Sequence, residues 1–185
     1  MKERKKNSIL ILKWAVVIFF TLTYISCMNN SPLKRFGKIF ETIMVADSGM
    51  VHGIKLNDTY EKVRSIDVKN WQDIDVDKFG RVFDDSTLYY EFSLGSEKNY
   101  YSIVYHFSDK KLDGIEMDVY METEPEAGEL FNSFQTYFDE KYGQSFTEGD
   151  NIVWSEGKEN RIIAADESPT YKKGKLTIIF QRSDL

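Results

Sequence analysis

The residues that could do chemistry in this chain are few, and their spacing decides against most of them. Asp73-Ile74-Asp75-Val76-Asp77 sets carboxylates at alternate positions, as at positions 1, 3 and 5 of a calcium loop, and Asp84 falls at position 12. Lys78, however, stands where such a loop needs glycine for its turn, and Gly80 comes two residues late. A solvated acidic loop without a metal is the expectation. His52 and His106 are the only histidines. A histidine base needs a nucleophile beside it and a third group to orient it, and no Gly-x-Ser-x-Gly elbow is present. Two histidines would bind zinc only if the fold added carboxylates. Acidic pairs for glycoside hydrolysis are numerous, but nothing selects one. No glycine-rich phosphate loop occurs. The reading is a non-enzyme with no catalytic residue, no metal and no cofactor.

A surface is the better candidate. Tyr89, Glu91, Tyr100, His106, Asp118 and Tyr120 fall at alternate positions of three strand-like runs. They should share the face turned away from the core. Tyrosines among acids suit protein recognition, because the ring covers large area and keeps a polar tip. A sugar could stack on the same rings. Tyrosine is also simply a good strand former whose hydroxyl reaches water.

Cys27 is the single cysteine, so no internal disulfide can form. It ends a three-part leader. Lys2, Arg4, Lys5 and Lys6 make a basic head, Ile9 to Ile25 is apolar apart from Lys13 and two threonines, and Ser26 is a small residue before the cysteine. The uninterrupted apolar part, Trp14 to Phe20, is short for a bilayer. This order resembles a bacterial lipoprotein signal, although Tyr24 replaces the usual leucine. The resemblance implies cleavage before Cys27, lipid on its thiol, and a place on the outer membrane or the periplasmic face of a membrane. An uncleaved anchor with a free cysteine is the alternative.

With residues 1–26 removed, the 24 basic and 30 acidic residues lose five and one respectively. The remaining 159 residues then carry 19 and 29, a formal charge of −10. Such a domain repels phosphate backbones, so nucleic acid is not expected as a partner. The membrane and an envelope protein or glycan are. The length suits one domain with a real core.

The elements that would position the face follow from hydrophobic period. Residues 27–52 read as a tether and an amphipathic helix from Pro32 to Val45, with Ser31 as cap. Lys34, Arg35 and Lys38 lie on its early turns, and it could pack on the domain or lie on a membrane surface. Residues 53–185 read as one α+β domain. Asp58 and Glu61 suggest a capping box for a short helix through Ile66 that buries Tyr60 and Val63. Residues 67–85 look irregular. Three strands alternate through Leu88 to Leu94, Tyr101 to Phe107 and Ile115 to Met121, with turns at 95–99 and 108–111. A helix with the stripe Ala127, Leu130, Phe131, Phe134, Tyr137 and Phe138 starts near Thr123 and stops at Gly143. Strands Ile152 to Ser155, Arg161 to Asp166 and Leu176 to Gln181 complete the chain.

Helix followed by three strands occurs twice. Thr59 and Thr123, Tyr90 and Trp154, Lys111-Leu112 and Lys175-Leu176, and Ile115 and Ile179 are each 64 apart. One fixed period suggests a duplication into 53–122 and 123–185, two αβββ units forming an antiparallel sheet packed against helices. Gly53-Ile54-Lys55-Leu56-Asn57-Asp58-Thr59, Lys110-Lys111-Leu112-Asp113-Gly114-Ile115 and Lys141-Tyr142-Gly143 carry a resemblance to the beta-lactamase inhibitor protein fold. Single units of that shape occur in the SmpA/OmlA family of outer-membrane assembly lipoproteins. The resemblance implies that the open sheet face grips a protein or steadies an envelope machine. Unlike the inhibitors, this chain has no disulfide pair.

If Asp73, Asp75 and Asp77 form only a solvated loop, calcium or a chelator should leave the melting temperature unchanged. Stabilisation that grows with calcium concentration would reinstate the metal.

Overall fold

The computed structural model describes residues 31–70, 81–84 and 86–183. Cys27 and the loop with Asp73, Asp75 and Asp77 lie outside them.

The Ser31 hydroxyl accepts from the Leu33 N–H at 3.2 Å, and Pro32 fixes the first turn. Only a 3-10 turn, Pro32–Phe36, follows. Gly37 then takes φ 101° and breaks the path before helix α1, Lys38–Met44. The helix expected over 32–45 is therefore split, at the one residue free to turn left-handed. Its apolar face survives. Leu33, Phe36, Phe40, Ile43 and Met44 are buried, and Phe40 meets Phe134 and Tyr137 edge-on at 4.9 and 5.1 Å. The segment packs on the domain.

Helix α2, Tyr60–Asn70, is capped by Thr59, whose hydroxyl accepts from the Lys62 N–H at 3.3 Å. Asp58 was the expected cap. It sits one residue too early, because Asn57 and Asp58 are bonded through their backbones to Leu112. Its carboxylate instead takes the Lys55 N–H and the Lys62 ammonium. Val63 is buried, and Tyr60 packs edge-on to Phe107.

Strand β1, Arg81–Asp84, lies in the stretch read as irregular, because four residues are too few to display a period. Strands β2 (Thr87–Ser96), β3 (Asn99–Ser108) and β4 (Lys111–Met121) form the expected meander. Asp109 and Lys110, both at positive φ, make its two-residue turn between β3 and β4. Helix α3, Glu124–Tyr142, is capped by Thr123, which accepts from the Glu126 N–H and donates to the Glu126 carboxylate. Then come β5 (Phe146–Glu148), β6 (Asn151–Glu156), β7 (Asn160–Asp166), the short helix α4 (Ser168–Tyr171) and β8 (Gly174–Arg182).

All eight strands form one antiparallel sheet in the order β1-β2-β3-β4-β8-β7-β6-β5. The fold is α+β. One row of paired residues crosses most of it: Leu88, Tyr105, Ile115, Phe180, Ile162 and Trp154, all buried. Helix α3 lies on this side. Phe138 touches both Phe180 (5.8 Å) and Trp154 (5.2 Å), and the Trp154 Nε1–H donates to Asp139 at 2.7 Å. The Lys141 ammonium donates to the carbonyls of Asp47 and Gly49 and to the Tyr137 hydroxyl, which fastens the 47–49 loop to the helix.

The constant offset of 64 fails within the last strands. Leu112 and Leu176 both face the core, but a bulge at Asp113 shifts β4 by one residue. Ile115 therefore faces the core, while Ile179 pairs with Glu116 on the other side.

Two substitutions gauge this packing. Phe138→Ala should cost about 3–5 kcal/mol. A Cβ at Gly174 would stand 2.5 Å from the Thr123 carbonyl oxygen and 2.8 Å from the Ala127 Cβ, so Gly174→Ala should cost about 1–3 kcal/mol by overpacking. Both are read as a lowered urea midpoint at unchanged slope. A neutral Gly174→Ala would show that α3 does not press on β8.

Candidate binding face of the sheet

Alternation along the strands fixes which side chains leave the core. Leu88, Tyr90 and Phe92 of β2 are buried, so Tyr89 and Glu91 face the other way. Tyr101, Ile103, Tyr105 and Phe107 do the same for Tyr100 and His106 on β3. Ile115, Met117, Val119 and Met121 do it for Asp118 and Tyr120 on β4. All six residues singled out in the sequence lie on this face. Helices α1 and α3 pack on the other.

The six do not form one cluster. Tyr100 and Tyr120 pair across β3 and β4, with rings stacked at 4.6 Å and 18°. The Tyr120 hydroxyl donates to Asp118 at 3.4 Å, and the Tyr89 hydroxyl donates to Glu91 at 3.1 Å. Glu91 and Asp118 flank Ser102 in one cross-strand row. His106 stands apart, six residues along β3 from Tyr100, which is about 20 Å. It lies over Gly114, 3.9 Å from Glu116.

The sequence did not reveal Lys175. Strand β8 pairs with β4 and sets Lys175 beside Tyr120, and Thr177 beside Asp118. The Lys175 ammonium is 2.6 Å from Glu167 and 3.7 Å from Asp118, and it sits 4.4 Å from the Tyr171 ring centre and 5.9 Å from that of Tyr120. The Thr177 hydroxyl is 2.6 Å from Asp118 and 3.2 Å from Glu167. Helix α4 brings in the Glu167 and Tyr171 partners. The Ser168 hydroxyl holds it there by accepting from the Lys175 N–H. Burial alone would lower the Lys175 ammonium, but its hydrogen bond to Glu167 and the charge of Asp118 hold it above its ordinary value. It stays a cation, neutralised by two carboxylates.

An apolar row was also missed. Val104, Ile179, Ile163, Val153 and Phe146 follow from strand to strand on this same face, with Glu116 interposed. Phe146, on edge strand β5, is half exposed. Beside Tyr100 and Tyr120, a groove of about 420 Å³ runs past Glu97, Lys173 and Gly174. Among the described residues, no group of three or more histidine, cysteine or acidic side chains is placed to hold a metal. Nor is any helix long and apolar enough to cross a membrane.

Compared with family models, with curated proteins and with solved structures, the chain matches none. The face must therefore be interpreted from its own chemistry.

Burial raises the phenols of Tyr89, Tyr100 and Tyr120, and nearby carboxylates add to it. Tyr120 is pushed up to about 12. An unfolded tyrosine ionises near pH 10. Below that pH both states keep the proton. Between about 10 and 12 the unfolded chain releases protons first, so stability is lost as pH rises through this window. Native phenolate absorbance should therefore rise late and together with unfolding. A full tyrosine titration near pH 10 with the fold intact would contradict the packing of these rings.

Proposed function

We propose that this chain is a lipid-anchored module of a bacterial cell envelope that binds a partner protein through the uncovered face of its sheet. The observation that carries the reading is the row Tyr100, Tyr120 and Lys175. Each ring or ammonium is held by its neighbours, on a face that neither α1 nor α3 covers. Immobilising a free side chain on binding costs about 0.5–1.5 kcal/mol. Rings already stacked avoid most of that cost. Tyr89, Tyr100 and Tyr120 are each partly exposed, as aromatic interface anchors are before a partner covers them.

Charge describes the partner. Lys175 is neutralised by Glu167 and Asp118, Arg161 by Glu148, and Lys98 by Glu122. Glu91 and Glu116 add two further carboxylates to the face. A basic or neutral protein surface complements this face, and nucleic acid does not.

Anchoring rests on the leader that ends in Ser26-Cys27. We also infer an internal duplication of the kind that the inhibitor and assembly families suggest. In its favour, a helix followed by four strands occurs twice, with α4 inserted before the last strand of the second half, and Thr59 and Thr123 are both caps. The strand order is symmetric about the β4–β8 joint. A carbohydrate ligand is less favoured. The Tyr120 ring has Tyr100 on one neighbouring strand and Lys175 on the other, so its flat faces are occupied.

Crosslinking of the membrane-anchored chain in intact cells tests the proposal. One envelope protein should be captured in constant ratio and lost when Tyr89, Tyr100 and Tyr120 are replaced by alanine, with the triple variant still folded by circular dichroism. Capture that survives all three changes would remove the sheet face as the site. Binding to a glycan array without any protein capture would favour the carbohydrate reading.

A further inference from the structure

The route by which the chain enters the fold fixes which side can meet a membrane. Only Met28, Asn29 and Asn30 separate Cys27 from Ser31, a reach of at most about 14 Å even if fully extended. Ser31 opens the Pro32–Phe36 turn, and this turn is not at the uncovered sheet face. It packs beside the C-terminal half of α3. Phe36 lies edge-on to Tyr137 at 5.4 Å, and Arg35 pairs with Glu140. The buried side chains of the turn and of α1 point inward. Lys34, Arg35 and Lys38 are exposed.

We infer that Lys34, Arg35 and Lys38 form a contact surface for anionic lipid headgroups, which turns the Tyr100–Tyr120 face away from the membrane. This rests on the membrane attachment proposed above. It holds whether Cys27 is acylated or the apolar leader is retained. Lys34, Arg35 and Lys38 stand exposed at the tether of a domain with a formal charge of −10, and the Arg35–Glu140 pair is itself open to solvent and weak, so this end of the domain is where an anionic surface is attracted. Of the outward acids of α3, Glu140 is paired with Arg35 at the near end, while Glu126 and Glu129 lie toward the far end. Glu129 is eleven residues from Glu140, or about 16 Å, so the domain tilts with the C-terminal end of α3 toward the lipid. At least one helix diameter, about 10–12 Å, then stands between the headgroups and the sheet. The binding face is left open to a partner.

Fluorophores on the full chain test this. Lys38→Cys places one on the proposed contact, while Ser93→Cys and Ser155→Cys place one at each end of the uncovered face, where both serines are exposed. The chain is put into phosphatidylcholine vesicles containing phosphatidylglycerol and a nitroxide-labelled lipid. Position 38 should lose most of its fluorescence, and positions 93 and 155 should keep theirs. Omitting phosphatidylglycerol should restore the signal at 38. Quenching at 93 or 155 as strong as at 38 overturns the orientation while attachment stands. Quenching at 38 that ignores the anionic lipid overturns the headgroup contact. A chain that does not stay with the vesicles overturns attachment itself, and the inference with it. Label taken up by the parent chain would mark a free Cys27 and count against acylation alone.

Discussion

The ladder between β4 and β8 is the constraint on which the other features depend. Eight residue pairs, from Gly114↔Gln181 to Met121↔Gly174, join two meanders that would each be a small, half-bare sheet. On one side the ladder sets Ile115, Met117 and Val119 against Phe180, Ile178 and Leu176, which α3 covers. On the other it sets Asp118 against Thr177, and Tyr120 against Lys175. The same backbone bonds thus write the core and the candidate face together. A slip of one residue would exchange them. Gly174 adds a stop at one end, because the start of α3 lies too close to β8 there for any side chain.

The bulge at Asp113 reconciles two demands on β4. Its first residues must meet the 57–60 segment, with Leu112 turned into the core beside Phe107. Its later residues must put Ile115 in the row with Tyr105 and Phe180. Strict alternation cannot do both, since Leu112 and Ile115 differ by an odd number of residues. One extra residue changes the parity, and His106 then lies over Gly114, where no side chain obstructs it.

The meander was legible because each of its strands has one buried and one open face, so the period of two is written in its residue types. The six face residues followed from that period alone. The Phe134, Tyr137 and Phe138 stripe was legible for the same reason at helical spacing. What could not be read depends on contacts between distant segments. Lys175 lies in a strand that begins Gly174-Lys175-Leu176, and its significance appears only when β8 pairs with β4. The apolar row escaped because Ile179, Ile163 and Val153 look like core residues by type. Only the register shows that they face outward. Thr59 displaced Asp58 as a cap because tertiary bonds to Leu112, not local propensity, place the start of α2. Gly37 could have warned that the first helix would break.

A cation held in the sheet by two carboxylates is a poor stabiliser compared with an apolar residue of similar size. Lys175 serves better as a fixed support. Its ammonium is in place against Tyr120 and Tyr171, and Glu167 ties it to α4. The stacked tyrosines therefore stand beside a cation tied by several contacts. For the partner proposed above, a surface held in this way would favour association close to rigid-body docking. What remains available to such a partner is specific: the partly exposed tyrosines, the carboxylates of Glu91 and Glu116, and the partly exposed members of the apolar row, Val104, Ile179, Ile163 and Phe146, between which Val153 is buried. Selectivity would come from matching that order of rings, acids and aliphatic groups, because no single one of them is unusual on a protein surface.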